Sequence, residues 1–374
     1  MHRIYLDNNA ATVIDPEVLA AYIYAVKECW ANPSSTHREG QRAKGVLEEA
    51  RTKIASAFDL PAQQVVFFSS ATEALNTTIK GLLCSPIGGH IITTGVEHAA
   101  VWETCRWLEA QGQEVSFLSV GPYGAPKVED VERAMQKNTI GLVLMSVNNE
   151  TGVKTDIEAM ASLAESYRIP LIVDAVAQLG KEPCMLYPGI AAACFSSYKV
   201  HGPCGVGFAL LNYGVSCSPL LHGSGQERGR RSGTENVSAI YACSHAVEIC
   251  LNELPQIAPR VKKLRDRFER NLLALPGLEL NGEGPRVGNT SNIAFSDLSG
   301  EELLIQLDLL GVAASHGAAC SAGALEPSRV LLEMGYLKSR ADGSVRFSLG
   351  KYTSEQDVSN AVQLIAQAVE KLRG

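Results

Sequence analysis

The chain has little of what marks a nucleic-acid binder, a membrane protein or a disulfide-built secreted domain. Positive charge is not in surplus: 33 Lys and Arg stand against 40 Asp and Glu, for a net charge of −7, and the basic residues are scattered. No polyanion footprint is expected from that pattern, and so no nucleic-acid partner. No apolar run reaches the length that crosses a bilayer; Ile140 to Val147 is too short and reads as a buried strand. Residues Met1 to Ala10 hold no long apolar core, so a cytoplasmic protein without a secretory leader is expected. The ten cysteines form no C-x-x-C pair and no zinc-type Cys/His spacing, so no metal site is expected. Cys29, Cys84, Cys105, Cys194, Cys243 and Cys250 lie in apolar segments and are expected as buried thiols in a reducing compartment. Low-complexity tracts and internal repeats are not evident.

What is present is an ordinary globular composition, with chain enough for two cores. Asp15-Pro16-Glu17 gives a cap, a first-turn proline and a first-turn acid, and Val18, Leu19, Tyr22, Val26 and Trp30 follow at helical spacing. A second helix is expected through Val46, Ile54 and Phe58. Strands and helices then alternate: strands at Val65–Phe68, from Ile91, at Val115–Val120, Ile140–Val147, Ile169–Asp174, up to Ser196, and at Val206–Leu211. Between them lie helices over Ala71–Leu83, Val101–Ala110 and Ile157–Tyr167. This predicts an α/β fold with a mainly parallel sheet flanked by helices. From about Thr234 the pattern changes. A helical stretch to Leu275 is expected to break near Pro255 and Pro259. Strand Asn292–Phe295, helix Glu301–Leu310, a Gly-rich loop, strand Ser344–Leu349 and helix Ser354–Leu372 then make a smaller α+β domain. The large domain is placed at residues 15–255, and the small one at 1–14 and 256–374.

Two residues carry the strongest chemical signal. Asp174 ends one predicted strand and Lys199 follows another, so both sit where open α/β sheets keep their ligands. A lysine there can form a Schiff base with an aldehyde cofactor, and a nearby carboxylate can hold a protonated pyridine nitrogen. That pairing is the demand of pyridoxal 5'-phosphate (PLP). Either residue alone is common.

The surroundings add weight. Ser69-Ser70-Ala71-Thr72-Glu73 joins a strand to a helix, as a simple cap or as a phosphate seat using first-turn N–H groups and Thr72. Gly223 to Asn236 is dense in glycine, arginine and hydroxyls: a solvated loop or an anion cradle. Arg346 lies inside a predicted strand, either at an edge or clamping a carboxylate. His98, between a strand and a helix, is a cap or packing residue, or in a PLP site an imidazole stacked on the ring. Cys320 sits in the small-residue run Ala318-Ala319-Cys320-Ser321-Ala322-Gly323, where a thiol can reach a site; a tight turn with an incidental cysteine is the alternative.

Taken in order, these motifs resemble the cysteine desulfurases of the NifS/IscS type, within the class V, fold-type I PLP enzymes. The resemblance runs through Tyr5-Leu6-Asp7-Asn8-Asn9-Ala10, Asn32-Pro33-Ser34-Ser35-Thr36-His37, Ser70-Ala71-Thr72-Glu73-Ala74, Glu97-His98 and Asn148-Asn149-Glu150-Thr151-Gly152. It continues through Asp174-Ala175-Val176-Ala177-Gln178, Gly202-Pro203, Arg231-Ser232-Gly233-Thr234-Glu235-Asn236, Ala319-Cys320-Ser321 and Arg346-Phe347-Ser348. It implies a seven-stranded-type large domain and a small domain carrying the cysteine loop. It also implies roles. Lys199 would carry PLP, Asp174 would face its ring nitrogen, Gln178 its phenolic oxygen, and His98 would stack on the ring. Thr72 and Ser196 would hold the phosphate, with Thr234 supplied by the other subunit of a homodimer. Asn149 and Arg346 would bind the carboxylate of L-cysteine. Cys320 would take its sulfur as a persulfide, for a sulfur-acceptor protein in iron–sulfur assembly or thiolation, and alanine would leave. Selenocysteine lyase, cysteine-sulfinate desulfinase, an aminotransferase and a non-catalytic partner protein are the rival readings on the same fold. Three positions depart from the pattern: Tyr198 stands where a histidine is usual, Ser224 for a glycine and Cys204 for a lysine. Tyr198 is expected to face the phosphate in the histidine's place.

Overall fold

Short, wholly apolar runs have to be covered on both faces, and the chain gathers them into one central sheet. The structure, a computed structural model, describes residues 3–317 and 327–374. A two-residue strand, β1 (Ile4–Tyr5), leads to helices α1 (Pro16–Glu28) and α2 (Arg38–Ala57). The sheet-building part follows as β2 (Val65–Phe68), α3 (Ala71–Leu83), β3 (His90–Thr94), α4 (Ala99–Ala110), β4 (Glu114–Leu118), α5 (Val128–Ala134), β5 (Thr139–Met145), α6 (Ile157–Tyr167), β6 (Leu171–Asp174), β7 (Ile190–Ser196) and β8 (Gly207–Leu211). These seven strands lie in the order β2-β8-β7-β6-β5-β3-β4, and β8 alone runs against the rest. One face of the sheet buries Phe67, Leu144, Val173 and Phe195 with Leu47 and Ile54 of α2; the other buries Val66, Val143 and Ile172 with Leu75 and Ile79 of α3. Fully burying one such side chain is worth about 1.5–3 kcal/mol.

The break expected near Pro255 and Pro259 does not occur: α7 (Val237–Leu272) is one helix of 36 residues. The two prolines are four apart, hence on one face, and both are exposed. On an exposed face the carbonyls left unbonded are open to solvent, and the helix can continue. Its first half packs into the sheet core through Ile240, Cys243 and Val247, and its second half packs through Val261, Leu264 and Phe268 into a separate core. The boundary expected at 255/256 therefore falls inside a continuous helix. That second core is completed by β9 (Leu278–Leu280), β10 (Thr290–Phe295), α8 (Gly300–Leu309), β11 (Val312–Ala313), β12 (Ser344–Ser348) and α11 (Glu355–Arg373), while α9 (Arg329–Glu333) and α10 (Lys338–Asp342) bury Val330, Leu331 and Ala341 in a small cluster of their own with Val96 and Met334. Strands β12, β10 and β9 form an antiparallel sheet in that order, while β11 pairs in parallel with β1. The pairing of β1 with β11 joins the N-terminal strand to this second unit. Cys84, expected among the buried thiols, is exposed at the C-terminal end of α3, while Cys29, Cys105, Cys194 and Cys243 are buried. Among the described residues no helix is long and apolar enough to cross a membrane.

Candidate active site

The parallel strands deliver their carboxyl ends to one side of the sheet, and the turns that follow β2, β3, β5, β6 and β7 line one cavity. It brings together Thr72, His98, Asn149, Asp174, Ser196, Tyr198, Lys199 and Arg346. Each is placed by a local reason. Ser70 caps α3, its hydroxyl accepting the Glu73 N–H at 3.2 Å. The first-turn N–H groups beyond that cap have no acceptor inside the helix. Gly207 of β8 lies so close that a Cβ there would meet the Ser70 carbonyl carbon at 2.6 Å, so the turn packs against bare backbone.

His98 caps α4: its Nδ1 accepts the Ala100 N–H at 3.1 Å. That bond assigns the neutral tautomer with the proton on Nε2. Asp174 is buried, and its Oδ1 accepts the Val176 N–H at 3.0 Å. Burial pushes its carboxyl pKa up, against the opposing influence of nearby His98 and Lys199. A cation at the ring-nitrogen position would hold it ionised. Lys199 closes a single 3₁₀ turn after β7. Its Nζ donates to the Asn9 carbonyl and, at 2.9 Å, to the Ala10 carbonyl. The Tyr198 ring lies 4.7 Å from that ammonium, measured to the ring centre.

Arg346 lies on β12, the end strand of its sheet, yet it is not exposed there. It is fully buried in β12, with Nη2 donating to Asp7 Oδ1 at 2.9 Å and Nη1 to the Asn149 carbonyl at 3.1 Å. Its Nε and the Asn149 side-chain Oδ1 are buried without a hydrogen-bond partner. A cationic donor left over in a closed cavity calls for an anionic acceptor such as a carboxylate. The donor set as a whole suits PLP: an amine for its aldehyde, a carboxylate for its ring nitrogen, an imidazole over the ring and a helix N-terminus for its phosphate.

Two sequence-predicted residues stand elsewhere. Gln178 lines a separate open groove with Tyr123 and Tyr187, and its Nε2 donates to the Pro183 carbonyl at 2.7 Å. Thr234 lies in another depression beside Ser69, Glu227 and Arg231. Cys320 falls outside the described residues.

The structure adds groups that sequence reasoning missed. Asp7, the anchor of Arg346, was visible only inside a motif. Glu97, beside His98, is buried, accepts the Thr94 hydroxyl at 2.8 Å on Oε1, and is pushed up to about 8 by burial. Lys181 also lines the cavity, donates to the Lys199 carbonyl at 2.7 Å, and is pushed down to about 8 by burial and by the charge of Lys199. Glu73 accepts the Ser69 N–H at 2.7 Å and Arg231 Nε at 2.8 Å, tying the Thr72 turn to the loop that carries Thr234.

A mainly parallel sheet with an amine and a carboxylate at the ends of neighbouring strands is an α/β arrangement suited to PLP, and the comparisons name its family. The aminotransferase class-V family matches residues 4–361, and the chain belongs to that family. Its curated relatives include a cysteine desulfurase of Trichormus azollae, 40% identical over 100% of this chain and 94% of the relative. Another is the cysteine desulfurase IscS of Dictyoglomus turgidum, 38% identical over 99% and 95%. Among solved structures, a NifS-like protein superposes with a TM-score of 0.92 at 33% identity, covering 99% of this chain and 100% of that one.

Proposed function

We propose that this chain is a PLP-dependent cysteine desulfurase that acts as a homodimer. The observation that carries the reading is the placement of Lys199 and Asp174 on neighbouring strand ends, facing one cavity with His98 and the start of α3. Bound there, PLP would withdraw electrons from the substrate carbons next to the amine. Lys199 would hold it, Asp174 would keep its ring nitrogen protonated, and the Thr72 turn with Ser196 would take the phosphate. Arg346 Nε and the Asn149 amide would seat the L-cysteine carboxylate. Once displaced, the Lys199 amine would move the Cα proton. Gln178 reaches the ring only by leaving Pro183.

The Cys320 thiolate would then attack the substrate sulfur. An S–S bond forms, the Cβ–S bond breaks, and its electron pair stays on carbon and takes up a proton. Enzyme thiol plus L-cysteine gives enzyme persulfide plus L-alanine, with no outside oxidant or reductant. The persulfide sulfur would pass to an acceptor protein, for iron–sulfur assembly or thiolation. The described cysteines are all unpaired, which suits a reducing, cytoplasmic setting.

Two observations support the dimer. Thr234 lines a separate depression rather than the cavity of its own chain. Leu19, Ile23, Val26 and Trp30 line one side of α1 and the residues just past it, and all are exposed. The test of activity is to incubate the protein with L-cysteine and measure alanine together with persulfide on Cys320. Borohydride should fix the cofactor to a peptide containing Lys199. Alanine formation that survives Cys320→Ser unchanged would sink the desulfurase mechanism.

A further inference from the structure

Arg346 lines its cavity already paired with an acid. Asp7 bridges in parallel to Ser348, so its side chain shares a face with Ser348 and, two residues back along β12, with Arg346. The main chain fixes that placement. The Ser348 N–H donates to the Leu6 carbonyl at 2.7 Å, the Asn8 N–H to the Ser348 carbonyl at 3.1 Å, and the Ala10 N–H to the Asp7 carbonyl at 3.0 Å. Asp7 Oδ1 then accepts Arg346 Nη2 at 2.9 Å, with 16% of the Asp7 side chain and 2% of the Arg346 side chain exposed. The Asn149 carbonyl accepts Arg346 Nη1 at 3.1 Å, and it also accepts Asn9 Nδ2 at 3.1 Å. Both terminal nitrogens of the guanidinium are thus bonded inside the protein, one of them to a full negative charge. Nε is the nitrogen left over. Glu150 also feels the Arg346 charge, but burial raises its pKa, and its Oε2 accepts the Ser328 hydroxyl instead. Asp7 is therefore the acid in contact with Arg346.

A seat that kept its whole charge would serve this reaction badly. L-cysteine and L-alanine differ only in the substituent on Cβ, so an arginine that binds their common carboxylate holds product as firmly as substrate. Binding shared in this way lowers KM without speeding the chemistry, and it delays departure of the product. We propose that Asp7 is a positioning residue that sets the strength of the Arg346 seat: its carboxylate fixes the rotation of the guanidinium and offsets its charge, so that the amino-acid carboxylate is oriented but not retained. This rests on the carboxylate seat proposed above. Asp7 need not touch the substrate to act; it acts through Arg346.

The test compares L-alanine with ethylamine, the same amine without the carboxylate. Each is titrated into the PLP-loaded enzyme, and binding is read from the change in cofactor absorption. Asp7→Asn removes the charge but keeps an oxygen for Arg346 Nη2. It should bind L-alanine roughly tenfold more tightly than wild type, the scale of one charge-assisted bond, with ethylamine within about twofold. With L-cysteine as substrate its KM should fall by a similar factor while kcat does not rise. Asp7→Glu keeps the charge and should bind L-alanine close to the wild-type value. Asp7→Ser, neutral and smaller, carries the same expectation as Asp7→Asn should that variant fail to fold. L-alanine binding that is unchanged or weaker in the neutral variants overturns the proposal. So does an equal change for ethylamine, which marks a general disturbance of the site. A wild type that binds ethylamine as well as L-alanine refutes the carboxylate seat, and this inference with it. A wild type that makes no alanine from L-cysteine refutes the desulfurase reading alone, because the binding comparison needs only the seat and still decides for or against Asp7.

Discussion

At the scale of single residues, the site is built from groups kept in expensive environments. Glu97 is the clearest. Its Oε2 is buried without a partner, and its pKa stands near 8 against an ordinary 4.5 because burial penalises the charge. The unfolded chain releases this proton at about pH 4.5 and the folded chain keeps it to about pH 8. Between those values the unfolded state binds fewer protons, so this group makes stability fall as pH rises. Glu97→Gln removes that dependence while leaving a carbonyl oxygen for the Thr94 hydroxyl. In thermal unfolding without added cofactor, the variant should gain on wild type steadily from pH 5 to pH 8; a gain that shrinks over that range contradicts the assignment. Tyr198 is the second case. Its ring lies under the Lys199 ammonium and lines the cavity, as a histidine substitute could. If its hydroxyl serves the phosphate, Tyr198→Phe loses a charge-assisted bond worth about 1.5–3 kcal/mol, and PLP should dissociate roughly tenfold to a hundredfold more readily in a dialysis titration. An unaltered dissociation constant would assign the ring to packing alone. Residue type and strand-end position made Asp174 and Lys199 legible in the sequence. Glu97 and Lys181 were not, because their significance is a matter of burial and of neighbours distant in the chain.

At the scale of elements, two capped helices were legible to the residue, and other capped helices to within a residue or two. Ala71–Leu83 and Ile157–Tyr167 have the predicted bounds, and each starts at a side chain that caps it, Ser70 and Asp156. Elements held by tertiary contact were not. The two-residue pairing of β1 with β11 has no periodic signal, and α5, only seven residues long, is too short to show one. Helix α7 was misjudged for a physical reason. Proline removes one backbone bond, but packing at both ends of a long helix outweighs that loss when the prolines face water. A consequence can be measured. Pro259→Ala restores an N–H that can bond to the Pro255 carbonyl, on an exposed face where no core contact is altered. Urea denaturation should show stabilisation of roughly 1–3 kcal/mol. A loss of stability would mean that the helix is bent at this point to fit both cores.

At the scale of the whole molecule, the proposed dimer rests on one loop. The loop carrying Thr234 is fixed firmly: Arg51 pairs with Glu227 through two bonds of 2.8 and 2.7 Å in a buried setting, and Arg231 pairs with Glu73. A loop held so well, with Thr234 lining a separate depression, is suited to serve a neighbour's cavity. The exposed stripe from Leu19 to Trp30 offers apolar surface for that neighbour to cover. Ile23→Asp should therefore shift the protein toward monomer in sedimentation and weaken PLP retention in parallel. The sharper test is complementation. A Thr234→Ala chain is co-expressed with a Lys199→Ala chain, and the mixed dimers are isolated by tag. If each site takes its lysine from one chain and its threonine from the other, one site of the mixed dimer carries both lesions and the other carries none. Its activity should then exceed that of either parent dimer, approaching half of wild type. If each chain builds its phosphate seat alone, no intact site can arise, and the mixed dimer will do no better than the Thr234→Ala parent.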